Sequence, residues 1–471
     1  MWTDIQGDRT AMEMLVIIIA LSILLVAAAG AFMRFSRRGG SGIWSRARKA
    51  AARDAATGLA TRQGLLEAGA QLRLRAGDRM LAAIVVDVGP HATAGALGDF
   101  APSIAAMLPL GAIAGIIEPT RLACLTTFDR YAVDAPEQLA RRIADALAGY
   151  SQADARSATI GLASTDDPQA QPAEALVEAA ATAAAAARAE GVRSLRFTKE
   201  MAARARARAV IARSLPDAIS SGAIVPYFEP IIDLETNELL GLEVLARWEH
   251  PTHGVIAPAH FIDIALERNL IADLTLSVMR QALTAARDWD PRLILAVNFS
   301  VTQLRDPWLA QKVIRLLSEL GFPPARLEIE LTEGVLMDPQ GVVSPTVESL
   351  KAQGVRIALD DFGTGVSSLT HLRALPFDRI KIDHTIVTEV CEDPARAAIA
   401  DAVIRLGESL NLPVTAEGVE SRRIADRLRA MGCAVGQGYL FGQPMSLMQT
   451  RRMLAEQRLI PNMVTSQRLA G

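Results

Sequence analysis

Residues 355–365 read VRIALDDFGTG: a short, mostly apolar run, then two adjacent aspartates, Asp360 and Asp361, then a glycine-rich turn. The run has the length and composition of a buried strand, and the acids stand where it ends. The same arrangement recurs on both sides. Upstream, LLGLEVL carries Glu243, RLILAVN ends at Asn298, and RLEIELTE carries Glu330 and Glu333. Downstream, DRIKID carries Lys381, LPVTAEGVE carries Glu417 and Glu420, and CAVGQG carries Gln437. Amphipathic stretches of about 10–15 residues separate these runs, and several close on a glycine (Gly321, Gly354, Gly432), as helix C-termini often do. Strand-like and helix-like runs in alternation predict βα units around a parallel sheet or barrel, an α/β fold.

In a (β/α)₈ barrel the carboxyl ends of the strands meet on one face, and active sites sit there. Residues far apart in the chain then share one mouth holding at least five carboxylates, an amide and a lysine. Carboxylate and amide oxygens are hard ligands suited to Mg²⁺ or Mn²⁺. Without cations, so many carboxylates would repel one another. Two ions about 4 Å apart can clamp a phosphodiester and generate hydroxide from a bridging water. Each motif alone has a plainer reading. Asp360-Asp361 could cap a helix or form an Asx turn, Glu330 and Glu333 could end a solvated edge strand, and Lys381 could snorkel past apolar neighbours. Seven separate runs with such residues at their ends are not explained by capping.

These motifs resemble the EAL family of cyclic-di-GMP phosphodiesterases. The resemblance rests on YFEPIIDL, GLEVLARWEHP, VNFSVTQL, EIELTE, ALDDFGTGVSSL, RIKID, TAEGVE and GQGYLFGQPM, in that order through residues 207–462. It implies a modified TIM-like barrel whose first strand runs antiparallel, and two metal ions. Glu243, Asn298, Glu330 and Asp360 match the ligands of one ion; Asp360, Asp361 and Glu417 match those of the second. Lys381 matches a lysine on the nucleophilic water, with Glu417 sharing a base role, and Glu333 a residue that holds the DDFGTG loop. Arg247 matches a phosphate contact, and Leu245, Glu420 and Gln437 fall at substrate-side positions. The implied substrate is cyclic-di-GMP and the product linear pGpG. Two departures stand out: the naming triplet reads Glu243-Val244-Leu245, with valine for alanine, and Glu229 replaces the usual glutamine before Pro230. Both are expected to lie near the substrate. The competing reading is an EAL domain that binds cyclic-di-GMP without cutting it.

The rest of the chain sets the context. With 471 residues, 21% charged and a net charge of -3, it is too long for one ordinary domain and lacks the basic face of a nucleic-acid binder. Cys124, Cys391 and Cys433 offer neither a disulfide framework nor zinc spacing. Residues 1–13 form a short leader. Residues 14–33 are a 20-residue apolar run, about the thickness of a bilayer core. The leader has Asp4, Asp8 and Glu13 against Arg9, unlike a signal peptide. Seven basic residues in the 34–53 linker precede Asp54, which predicts a single-pass anchor with its C-terminal side in the cytoplasm, at a bacterial inner membrane.

Residues 54–198 resemble, more weakly, a GGDEF diguanylate cyclase domain through DAATGLATRQGL, SATIGLAS and the alanine-rich stretch after it. Asp87 falls where a metal aspartate would, but the defining turn reads Glu118-Pro119-Thr120-Arg121-Leu122. Without paired glycines the backbone loses its close approach to a phosphate. This half is therefore expected to be degenerate, with a structural or dimerising role; GTP binding and homodimerisation stay open. Residues 199–219 predict a helical connector.

Overall fold

The computed structural model describes residues 53–89, 92, 95–150, 157–165, 172–337, 341–363 and 375–460. The expected membrane span, the linker before Arg53, and residues 364–374 of the DDFGTG loop lie outside these. Among the described residues no helix is long and apolar enough to cross a membrane. The chain divides into two compact units between Ala207 and Arg208, within the connector helix Lys199–Ser221.

The first unit has a six-stranded sheet made of β1 (Ala60–Thr61), β2 (Met80–Asp87), β3 (Ile113–Glu118), β4 (Arg121–Phe128), β5 (Thr159–Thr165) and β6 (Ser194–Arg196), in the order β1-β3-β4-β2-β5-β6. β2 is buried along its whole length and pairs antiparallel with β4 and β5. The alanine-rich stretch is the helix Ala173–Ala189. It lies so close to the sheet that a Cβ on Gly161 would fall 1.8 Å from the Ala180 carbonyl oxygen, so alanine here is a packing requirement as well as a helix former.

The second unit is a closed barrel. Its strands are β7 (Ile224–Asp233), β8 (Leu239–His250), β10 (Ile294–Phe299), β11 (Leu327–Thr332), β12 (Arg356–Phe362), β13 (Arg379–Ile382), β14 (Val414–Ala416) and β15 (Val435–Gln437), with the short β9 (Gly254–Ile256) appended to β8. From β10 to β15 neighbours are parallel, and β10 also pairs in parallel with β8, which closes the ring. β7 runs antiparallel to both β15 and β8. This is the modified TIM-like (β/α)₈ barrel that the resemblance implies. The closing seam requires Gly241, where a Cβ would stand 2.3 Å from the Ile294 side chain.

Side chains alternate across each strand. One set (Leu242, Val244, Leu295, Val297, Ile329, Leu331, Ile357, Leu359, Ile380, Ile382) packs under the surrounding helices in the main apolar core. The other lines the barrel interior and is largely polar. Its lower layer is an ion pair, Arg379 Nε to Glu328 Oε1 at 3.0 Å, with Arg379 Nη1 donating to Thr415 Oγ1 at 2.9 Å.

Candidate active site at the barrel mouth

The upper interior layer is the predicted constellation. Glu243 comes from β8, Asn298 from β10, Glu330 from β11, Asp360 and Asp361 from β12, Lys381 from β13, Glu417 from just past β14, and Gln437 from the end of β15. At its centre is Lys381, only 1% exposed. Lys381 Nζ lies 2.5 Å from Glu417 Oε1, 2.7 Å from Glu330 Oε1, 3.4 Å from Asp360 Oδ1 and 3.5 Å from Glu243 Oε2. Asn298 Nδ2 donates to Glu243 Oε1 at 2.6 Å. Gln437 Nε2 donates to Glu243 Oε2 at 2.5 Å and to Glu229 Oε2 at 3.2 Å.

Two consecutive aspartates on a regular strand would face opposite sides of the sheet. Between Leu359 and Phe362 the β12–β13 register shifts, so Asp360 and Asp361 both stand opposite the single residue Lys381. Asp361 takes the left-handed conformation this needs, with φ 56°, which aspartate tolerates better than most residues. As a result, oxygens of Asp360, Asp361 and Glu417 lie within 4.8 Å of one another.

The electrostatics follow from crowding carboxylates into a buried site. Burial, then the neighbouring Glu243, raises the Glu330 carboxyl well above its usual range. Burial raises Glu417 likewise, against the pull of Lys381. Burial and Asp360 push Asp361 up to about 6, and burial and Glu243 push Glu229 up to about 7. Burial alone would lower Lys381; Glu243, Glu330, Glu417 and Asp360 outweigh it and hold the ammonium well above its ordinary value.

The residues fit a divalent metal on an independent observation. Both oxygens of Glu330, Asp360 Oδ1 and Gln437 Oε1 are buried and accept no hydrogen bond; the Lys381–Glu330 contact is close enough for an ion pair but not angled as a hydrogen bond. Buried acceptors are normally satisfied. Hard oxygens left over beside a cluster of acids are the donor set that Mg²⁺ or Mn²⁺ takes.

The remaining predicted residues are placed as follows. Glu333 Oε2 accepts from the Gly363 N–H at 3.3 Å, at the start of the DDFGTG loop. Leu245 and Arg247 follow Glu243 at a spacing of two on β8, and Arg247 lies 5.9 Å from the Tyr227 ring centroid. Glu420 is exposed, outside the contacts around Lys381. Val244 corrects an expectation: it is buried in the outer core, so its added methyls face the helices and not the substrate. Asp383 was missed. It is buried two residues past Lys381, beside Asp361, and accepts from the Thr385 N–H at 2.8 Å. The same spacing of two that joins Glu243 to Leu245 could have found it.

In the first unit Asp87 is buried, and both its oxygens are engaged. Arg121 Nε meets Oδ2 at 2.8 Å; Arg188 Nη2 at 3.2 Å and the Gly89 N–H at 2.7 Å meet Oδ1. Arg121 starts β4 directly opposite Asp87.

Residues 212–444 match the EAL domain family, and the barrel unit belongs to it. An uncharacterized signaling protein of Caulobacter vibrioides is 42% identical over 248 residues, 53% of this chain and 31% of that protein. The bifunctional diguanylate cyclase/cyclic di-GMP phosphodiesterase MucR of Pseudomonas aeruginosa is 35% identical over 257 residues, 53% of this chain and 37% of that protein. The chain spans about a third of the length of the first curated relatives it matches, 31%, 31% and 36%. The solved S helix–GGDEF–EAL segment of Vibrio cholerae LapD, bound to c-di-GMP, aligns with 86% of this chain and 99% of its own at a TM-score of 0.55; at 14% identity the likeness is one of fold.

Proposed function

We propose that the barrel unit hydrolyses cyclic-di-GMP to linear pGpG, as a cyclic-di-GMP phosphodiesterase using two Mg²⁺ or Mn²⁺ ions. The observation that carries this reading is the Asp360–Asp361–Glu417 cluster beside the unsatisfied Glu330, all around a buried lysine. The name of the related MucR supports the substrate class. Glu243, Asn298, Glu330 and Asp360 would hold one ion, and Asp360, Asp361 and Glu417 the other. When bound, the ions supply Lewis-acid polarisation and an activated water. Lys381 Nζ orients that water and balances charge. Glu417, whose carboxylate stands beside Lys381 Nζ, takes its proton. The water oxygen bonds to phosphorus, the P–O3′ bond breaks, and the proton ends on the O3′ hydroxyl. Arg247 binds the phosphate through its planar guanidinium, beside Leu245 and Glu420.

Incubation of the purified chain with cyclic-di-GMP and Mg²⁺ or Mn²⁺, followed by product chromatography, tests this. Appearance of pGpG is expected; tight binding without cleavage under either metal would replace it with the receptor reading. We place the chain at the inner membrane through residues 14–33, with both units cytoplasmic. A C-terminal alkaline phosphatase fusion should be inactive, and an active one overturns that orientation.

A further inference from the structure

Glu229 comes from β7, the strand that runs against its neighbours, and stands opposite Glu243 in register. The two carboxylates share one donor, Gln437 Nε2. Turning the amide round would aim its carbonyl oxygen at both carboxylates, so its orientation is determined. Its Oε1 is left buried and unpartnered. Compared with the glutamine usual at this position, Glu229 adds a negative charge with almost no change of shape. That charge lies one amide away from Glu243, with Lys381 and Arg247 as the nearby cations. It attracts a divalent cation and repels a phosphodiester, so its two effects have opposite signs.

We infer that Glu229 is a positioning residue: acting through Gln437, it holds Glu243 and favours cation binding at the mouth at the expense of affinity for an anionic substrate. This rests on the metal-dependent hydrolysis proposed above.

The test uses the full chain in detergent at pH 8. Mn²⁺ binding is read without nucleotide from the electron paramagnetic resonance of the free ion, and KM and kcat for cyclic-di-GMP are read at saturating Mn²⁺. Glu229→Gln should weaken Mn²⁺ binding about 3- to 10-fold and lower KM by a similar factor. Glu229→Asp, which keeps the charge, should hold Mn²⁺ affinity within about threefold of wild type. A merely structural role would raise both constants. Unchanged Mn²⁺ affinity in Glu229→Gln, a raised KM, or equal weakening in Glu229→Asp overturns the inference while leaving the hydrolytic reading intact. A wild-type chain that binds no Mn²⁺ overturns both.

Discussion

Lys381→Met is the sharpest perturbation of this barrel. It removes the ammonium that lies between 2.5 and 3.5 Å from Glu417, Glu330, Asp360 and Glu243, and leaves those acids buried together. Removing one partner from a buried charge cluster costs about 3–5 kcal/mol. Part returns as the carboxyls take up protons, which Glu330 and Glu417 already favour. A net loss of about 3 kcal/mol in EDTA is expected, and at about 2–4 °C per kcal/mol the melting midpoint of the barrel falls by about 6–12 °C. Mn²⁺ should shrink that difference, because the cations then offset the same acids and metal binding largely survives. Hydrolysis should drop by about a hundredfold or more, the usual worth of one preorganised donor that positions a reacting group. Calorimetric melts with EDTA or Mn²⁺, paired with product chromatography, measure all three. A variant that melts like wild type in EDTA and cleaves at the wild-type rate would refute the placement of Lys381 at the centre of the chemistry.

Asp360→Asn, nearly isosteric, should lower turnover by about a thousandfold, roughly 4 kcal/mol of barrier, yet weaken calorimetric cyclic-di-GMP binding far less because Arg247 remains; cleavage near the wild-type rate would show the assigned cluster is wrong. Metal-free stability should depend on pH through Asp361 and Glu229, raised from 3.8 to about 6 and from 4.5 to about 7. Raised carboxyls stabilise the fold fully below their unfolded values and lose that contribution as pH rises through the folded ones, so the melting temperature in EDTA should fall between about pH 5 and 7.5 by the equivalent of a few kcal/mol and recover with Mn²⁺; a flat profile counts against the crowding. The first unit, given GTP and Mg²⁺, should make no cyclic-di-GMP, since Arg121 and Arg188 already engage Asp87; synthesis that survives removal of contaminating cyclases would refute this.

The barrel was readable because its chemistry sits where strands end, and a period of two or 3.6 can be followed along the chain. Two features were not. Nothing in the spacing of VRIALDDF announces that the register shifts at Asp360 and that Asp361 turns left-handed; on a regular strand one of the pair would leave the site. The pairing of Arg188 with Asp87 spans 101 positions and depends on how a helix lies across a sheet, which no local pattern encodes. The misplacement of Val244 differs in kind: alternation from Glu243 already turns it outward, and a family expectation about the triplet overrode that.

A barrel made wholly of parallel strands receives its chain at the floor. Here the reversal of β7 places its first residue, Ile224, opposite Trp248, beyond Arg247 and at the rim. The last turns of the connector helix, ending at Ser221, therefore feed directly into the edge of the mouth. At the other end of the strands, below the acidic layer, the interior holds the buried Glu328–Arg379 pair. The covalent inlet and the opening for solutes therefore share one end of the barrel, and Glu229 lies five peptide units along the strand that the connector feeds.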